Sequence, residues 1–246
     1  MSDPYAVAAN YYDIMIDWPT RLARERPFFA SLFDELPVGR ALDVGCGTGH
    51  HARLFGELWA DVVGLEPSRP MIDRARALTA GDNPRFVDGG FADISTLTGV
   101  FDLIAVLGNT LAYVADEAEL RDVLRVMREK LAAGGCLVVQ GVNYDSLGAI
   151  GSRWLPVIER HDAAHDYLFL REYHFRESIV EFTLITLIHS DGWQQHTECS
   201  RHFPITGDCL SRALLAAGFT QHELFGDYQR VPYDAATSPN LIALAR

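Results

Sequence analysis

Apolar and polar positions follow two rhythms along this chain. Short, mostly apolar runs stand at residues 40–44, 62–65, 85–87, 101–107 and 136–139. Between them, apolar side chains recur three and four positions apart. The runs read as strands buried on both faces, and the spaced stripes as helices with one apolar side. Pro19 opens a helix over 19–36 whose stripe is Leu22, Phe29, Phe33 and Leu36, and Pro37-Val-Gly39 ends it. A second helix starts at His50. Ser68 caps a third, which runs to about Thr79 along Met71, Ile72 and Ala75. Asp116 and Glu119 form a capping pair ahead of Leu120, Leu124, Met127 and Leu131, and Gly134-Gly135 stops that helix. Strands alternating with helices over 40–140 predict a mostly parallel sheet covered on both faces.

The rhythm changes at Asn143. Three β-type runs follow, Tyr167 to Tyr173, Ile179 to Ile188 and Trp193 to Phe203, separated by the polar turns Arg176-Glu-Ser178 and Ser190-Asp-Gly192. They predict an antiparallel insertion over the carboxyl edge of the sheet. The α/β pattern then resumes. Thr206 caps a helix with Leu210, Leu214 and Leu215, Ala217-Gly218 stops it, and two last strands lie near 219–228 and 240–246. The expected organisation is an aromatic segment and helix over 1–36, a main unit over 37–142 and 204–246, and an insertion over 143–203 that covers the substrate.

Composition narrows the function. The net charge of −12 over 246 residues argues against a nucleic-acid partner, because phosphate backbones need clustered Lys and Arg. No apolar run approaches the ~20 residues that span a bilayer, and no secretion signal is visible, so a cytoplasmic protein is expected. Cys46, Cys136, Cys199 and Cys209 show no C-x-x-C pair and fit reduced thiols. His161 and His165 have the i,i+4 spacing that zinc enzymes use on helices, but no third ligand follows at fixed spacing. A solvated helix face is the reading there, with no metal.

The chemistry concentrates at Ala41-Leu-Asp-Val-Gly-Cys-Gly-Thr-Gly-His50. A strand ends in Asp43; Gly45, Gly47 and Gly49 alternate; a helix begins; and a second strand ends in Glu66. This is the first half of a nucleotide-binding α/β unit. The dinucleotide pattern requires Gly or Ala where His50 stands, and Asp43 would repel a pyrophosphate. An acid at the mouth suits a cationic ligand, and Glu66 suits ribose hydroxyls. A ligand with a ribose, a positive charge and no phosphate is S-adenosyl-L-methionine.

Asp43, Gly45, Gly47 and Gly49 match the D-x-G-x-G-x-G motif of class I methyltransferases, which the chain here resembles. Further pieces are similar to the glycine and glycine/sarcosine N-methyltransferases: Tyr11-Tyr-Asp with Arg21, Leu107-Gly-Asn109, Asn143-Tyr-Asp145, and Gly226-Asp227 with Ser238-Pro-Asn240. Amino-sugar N-methyltransferases look similar in parts. The resemblance implies a three-layer Rossmann-like sheet of about seven strands, the last antiparallel, with helices on both faces. It implies that Arg21 takes the cofactor's carboxylate. Cys46, Pro67, Met71, Gly90, Phe91, Leu107, Gly108 and Tyr113 would join the motif glycines, Asp43 and Glu66 around the cofactor. Tyr5 and Tyr11 would close over the methyl donor, Asn109 would hold the acceptor, and Asn143 and Tyr144 would approach it. Two positions depart from the family. Gly90 stands where a polar residue usually meets the adenine, leaving Asp88 or backbone for that contact. The arginine that binds glycine in the animal enzyme has no aligned counterpart, so Arg171 and Arg201 in the insertion are the substrate candidates.

The sulfonium is already an activated electrophile, so catalysis is mainly positioning of an amine that arrives deprotonated, and no single base is assigned. The product would be S-adenosyl-L-homocysteine. An O-methyltransferase, which needs a proton acceptor beside the oxygen, and a catalytically silent S-adenosylmethionine-binding protein stay open. So do the acceptor, a small molecule, and the choice between monomer and homo-oligomer.

Overall fold

A computed structural model describes residues 8–147 and 151–246. The chain opens with α1 (Tyr12–Met15) and α2 (Trp18–Glu35), the latter capped by Asp17, whose carboxylate accepts from the Thr20 N–H. Then follow β1 (Arg40–Val44), α3 (His50–Glu57), β2 (Asp61–Glu66), α4 (Arg69–Ala77), β3 (Arg85–Asp88), β4 (Phe101–Val106), α5 (Glu117–Lys130) and β5 (Leu131–Val142). After α6 (Tyr144–Leu147) come β6 (Gly151–Trp154), β7 (Ile158–His161), β8 (Asp166–Phe175), β9 (Val180–His189) and β10 (Trp193–His202). The chain closes with α7 (Gly207–Ala216), β11 (His222–Phe225) and β12 (Asn240–Ala245).

The strands form two sheets. The seven-stranded sheet runs β11-β12-β5-β4-β1-β2-β3. It is parallel from β3 to β5, and β12 is antiparallel to β5 and β11. Alternate residues of each strand go to opposite faces. Leu42, Val44, Ile104 and Val139 pack on one side under Leu120, Leu124, Leu210 and Leu214 of α5 and α7. Ala41, Leu103, Ala105 and Val138 pack on the other under Phe29, Leu32, Leu54 and Phe55 of α2 and α3. The result is the expected three-layer, Rossmann-like fold.

The second sheet runs β10-β9-β8-β6, with β7 also on β8. Tyr167, Phe169, Leu184 and Ile188 pack on Met15 of α1. Tyr173, Phe175 and Val180 pack on Ala112 and Tyr144, which follow β4 and β5. This places the inner face of the sheet at the carboxyl edge of the parallel strands. The Phe203 N–H donates to the Ala112 carbonyl (2.8 Å) and joins the end of β10 to that edge.

Two local expectations are corrected. Gly134-Gly135 does not stop α5. That helix ends at Lys130, and Leu131 already pairs with Phe101, while Cys136 pairs with Leu103. The residues between bulge, and Gly135 is needed for close approach: a Cβ there would lie 2.9 Å from the Asp102 carbonyl oxygen. His161 and His165 lie on no helix. They flank a hairpin turn in which Asp162 Oδ1 accepts from the Ala164 and His165 N–H groups at 2.8 and 2.9 Å. Among the described residues no cluster of three metal-ligating side chains occurs, and no helix is long and apolar enough to cross a membrane.

Candidate active site

The turn after β1 holds three left-handed glycines, with φ of 70° at Gly45, 55° at Gly47 and 79° at Gly49. They differ in what surrounds them. A Cβ on Gly45 would meet Thr110 Cγ2 at 2.3 Å, and one on Gly49 would meet Phe86 at 2.7 Å. Around Gly47 there is room, the nearest atom being a Tyr12 ring carbon at 3.9 Å. Gly45 and Gly49 therefore serve close packing, whereas Gly47 serves the backbone turn. Its N–H donates to Glu66 Oε2 (3.0 Å), while the Ser68 N–H donates to Glu66 Oε1 (2.9 Å). The acid at the end of β2 is thereby turned back over the glycine loop.

Asp43 is buried, and among the described residues its Oδ2 has no hydrogen-bond partner. Burial, reinforced by the charge of Glu66, raises its carboxyl to about 7. Arg21 reaches the same region from α2: a Cβ on Gly108 would lie 3.9 Å from its Nη2. Its guanidinium lies 5.0 Å from the Trp18 ring centroid, and its Nε donates to Glu25 Oε1 (2.9 Å). The Gly108 N–H donates to Gln140 Oε1 (2.8 Å). Cys46, Met71 and Leu107 are buried, and Phe91 packs against the core. Gly90 faces Pro67, with Cβ atoms 4.0 Å apart if a side chain were built. At Gly90 the nearby carboxylate is Asp93, which accepts its N–H (2.9 Å), while Asp88 turns outward toward Arg69 (3.9 Å).

The aromatic N-terminal segment reaches this loop through Tyr12 rather than Tyr11. Tyr11 packs against Tyr167 and His196 of the second sheet, with ring centroids 5.9 and 6.0 Å away. Tyr5 lies outside the described residues. α1 is held down by Asp13, which accepts from Thr48 Oγ1 (2.7 Å), Trp18 Nε1, His50 Nε2 and Arg74 Nε (each 3.1 Å).

On the other side of Gly108, the expected acceptor residues separate into two groups. Asn109, at φ 70°, spends its amide on the protein. Its Oδ1 accepts from the Val142 N–H (3.0 Å), and its Nδ2 donates to the Tyr144 hydroxyl (2.9 Å). Asn143 is further removed, donating to the Ala235 and Ser238 carbonyls (3.1 and 2.9 Å) and accepting from Tyr233 (2.6 Å). Asp145 accepts from Tyr233 (2.7 Å) and the Gly207 N–H (2.8 Å). The Asn-Tyr-Asp piece is thus a clasp for the 233–238 loop and α7, and Tyr144 alone of the three turns toward the second sheet.

There Tyr144 meets His202, which the sequence reading passed over. The Tyr144 hydroxyl donates to His202 Nδ1 (3.1 Å), and His202 Nε2 donates to Ser200 Oγ (3.1 Å), which also accepts from the Tyr113 hydroxyl (3.4 Å). Burial pushes the imidazole down to about 4, so it is neutral, and burial likewise raises the Tyr144 phenol. The signal was available in strand alternation: His196, Glu198, Ser200 and His202 share one face of β10, the face paired with Val180, Phe182 and Leu184. Arg171 shares the face of Phe169 and Tyr173, pairs across to Leu184, and donates from Nη2 to the Pro156 carbonyl (3.1 Å), while its Nε is buried without a partner. Arg201 does not join this group. It alternates with His202, is exposed and stands opposite Glu181.

The structure thus gathers Asp43, Glu66, Tyr12 and Arg21 around the glycine loop, and Tyr113, Tyr144 and His202 where the second sheet meets the parallel one. Residues 41–135 match the family described as a methyltransferase domain. The glycine/sarcosine N-methyltransferase of Parasynechococcus marenigrum is 30% identical over 223 residues, 89% of this chain and 76% of that protein. A sugar N-methyltransferase from a Streptoalloteichus species superposes with a TM-score of 0.76 at 24% identity, over 97% of this chain and 91% of the other. An S-adenosylmethionine-bound amino pentose methyltransferase from Micromonospora echinaspora gives 0.73 at 20% identity, over 100% and 98%. At those identities the two structural likenesses are of fold. Together with the glycine-rich turn and the relative's coverage, these findings place the chain in a family: it belongs to the class I S-adenosylmethionine-dependent methyltransferases.

Proposed function

We propose that this enzyme transfers the methyl group of S-adenosylmethionine to the nitrogen of a small primary or secondary amine, an amino acid or an amino sugar, and releases S-adenosylhomocysteine. The observation that carries the choice of nitrogen is His202. It is the histidine that meets Tyr144, both its ring nitrogens are engaged, and burial holds it near 4. It is a poor acceptor for the proton of a hydroxyl nucleophile, which an oxygen acceptor needs to lose. An amine that enters uncharged brings its own lone pair.

The donor set fits the cofactor. Glu66 beside Gly47 suits ribose hydroxyls, the unpartnered Asp43 Oδ2 suits a cationic group, and the terminal nitrogens of Arg21 suit a carboxylate. Bound there, S-adenosylmethionine supplies a methyl group already activated by positive sulfur. The protein's part is then binding and orientation. Tyr12 covers the glycine loop. The second sheet, with residues 143–203, serves as the lid that excludes water, and Tyr144 and Tyr113 offer phenol oxygens that hold an uncharged amine by accepting its N–H groups. Asn109 fixes Tyr144 rather than the acceptor. Arg171, from the inner face of the lid, is the candidate for an acceptor carboxylate.

The test is a product assay. Purified enzyme is incubated with S-adenosylmethionine and single acceptors, beginning with glycine, sarcosine and amino sugars. The expected result is a mass gain of one methyl whose proton and carbon shifts are those of N–CH3. Methyl shifts of an O–CH3 product would move the reading to oxygen. Binding without turnover on amine and hydroxyl acceptors alike would leave a cofactor-binding protein.

A further inference from the structure

Arg21 belongs to a buried chain of three charged or polar groups that the transfer reaction does not by itself require. Its Nε donates to Glu25 Oε1 (2.9 Å), and Glu25 Oε2 accepts from His51 Nε2 (2.6 Å). Glu25 is 1% exposed and His51 6%, so the carboxylate lies between α2 and α3, away from water. Burying an ion pair in this way is rarely a net gain in stability. The geometry says what it does instead. Glu25 takes the arginine at Nε, which leaves the two terminal nitrogens outside the ion pair, with the buried Tyr228 phenol beside the guanidinium. A guanidinium gripped at Nε presents its Nη pair end-on, the arrangement that binds a carboxylate through two parallel bonds. His51 occupies the other oxygen of Glu25, which keeps that carboxylate from swinging round to cover the Nη pair. The Trp18 ring, 5.0 Å from the guanidinium, fixes its plane, and Nη2 is directed to Gly108. Burial lowers the His51 imidazole, so it adds no charge. Arg21 and the His51 bond keep Glu25 ionised against the burial that would raise it.

We propose that Glu25 and His51 are positioning residues that aim the terminal nitrogens of Arg21 at the carboxylate of the cofactor. The inference rests on the reading of Arg21 given above. It concerns the amino-acid end of the cofactor only, and that gives it a readout which a packing role would not move.

The experiment is calorimetric titration of the full chain with S-adenosylhomocysteine and with 5′-deoxy-5′-methylthioadenosine, which keeps the adenosine and the thioether sulfur but has no carboxylate or ammonium. Glu25→Ala and His51→Leu are expected to weaken S-adenosylhomocysteine about tenfold, the scale of one charge-assisted hydrogen bond, and to leave the methylthio compound within about twofold. Arg21→Ala is expected to show the same split, and Arg21→Ala with Glu25→Ala no further loss. Glu25→Gln, which keeps an oxygen for Nε and the packing of α2 on α3, is expected to restore most of the affinity. It also carries the test should Glu25→Ala fail to fold. Equal weakening of both ligands in the Glu25 and His51 variants would make these residues structural and overturn the proposal. So would wild-type affinity for S-adenosylhomocysteine in those variants when Arg21→Ala loses it. Wild-type affinity in Arg21→Ala itself would remove the reading of Arg21, and the proposal with it.

Discussion

Asp43 is a carboxyl set between two states. Burial and the charge of Glu66 hold it at about 7, and its Oδ2 has no partner. For an acid raised above its ordinary 3.8, the native state holds the proton that the unfolded chain gives up. Its contribution to stability is therefore full below about 4 and is lost as pH rises through about 7. A cation placed beside it reverses the preference and expels the proton. Titration of the enzyme with S-adenosylmethionine at pH 7, in two buffers of different ionisation enthalpy, is expected to read roughly half a proton released per site, and Asp43→Asn close to none. No release from the wild type would put the cationic end of the cofactor away from Asp43. At this scale the sequence was most legible where the backbone itself is the constraint. Gly45, Gly47 and Gly49 all take φ near +60°, which spacing and residue type announce. Asn109 and Asn143 were legible as polar residues just past strand ends but not in their roles, because an amide shows in sequence neither its partner nor its direction. The hydrogen bonds to Val142, Tyr144, Ala235 and Ser238 come from residues 33 to 95 positions away and exist only once the fold is made.

Among the elements, α1 has four residues and would not persist alone. What holds it is Asp13, whose carboxylate gathers donors from α2, α3, α4 and the glycine loop, so that Tyr12 lies over Gly47. Burial opposes the charge on Asp13, but the hydrogen bonds from His50, Thr48 and Arg74 win and hold the carboxyl well below its usual range. That depressed value means the anchor is at full strength above about 4 and weakens only as pH falls below it. Asp13→Ala is expected to leave the seven-stranded sheet intact. Amide exchange should rise over residues 11–16, and affinity for S-adenosylhomocysteine should fall several-fold, or about 1 kcal/mol, as the cover over the loop loosens. Exchange unchanged from the wild type would show that the packing of Met15 on the second sheet suffices. The elements most legible in advance were those with short, mostly apolar runs. The bulge at 132–135 was hidden because Gly134-Gly135 satisfies the rule for a helix stop as well as the rule for close approach. The His161–His165 spacing misled for a related reason: an i,i+4 pair fits a helix turn, yet the Asp162 side chain closes the same five residues into a hairpin.

Across the whole molecule, His202 is a polar link between the two sheets. It ends β10, touches Tyr144 and Ser200 through its two nitrogens, and lies edge-on to Tyr113 and face-on to Phe182. The next residue, Phe203, returns the chain to Ala112. This polar link joins the packing on Met15, Ala112 and Tyr144 in holding the second sheet, and it depends on the imidazole staying uncharged. A histidine lowered from 6.5 to about 4 favours the native state above 6.5, and that contribution is lost as pH falls through the window between the two values. The difference between the two values corresponds to roughly 3 kcal/mol at most. His202→Asn keeps a hydrogen-bonding side chain but removes the titration. The stability difference between wild type and variant, read from urea unfolding at pH 7.5 and pH 4.5, is therefore expected to shrink by a kcal/mol or more at the lower pH, with Asp43 cancelling because it is common to both. At pH 7.5 the variant is expected to keep its affinity for S-adenosylhomocysteine, whose side of the site His202 does not touch. Turnover should drop by one to two orders of magnitude, because Tyr144 loses the partner that orients its hydroxyl. A variant that binds cofactor as well as the wild type and turns over as fast would show that the second sheet does not need the His202 link. The contacts of Tyr173, Phe175 and Val180 with Tyr144 and Ala112, with the Phe203–Ala112 hydrogen bond and the packing on Met15, would then carry the coupling.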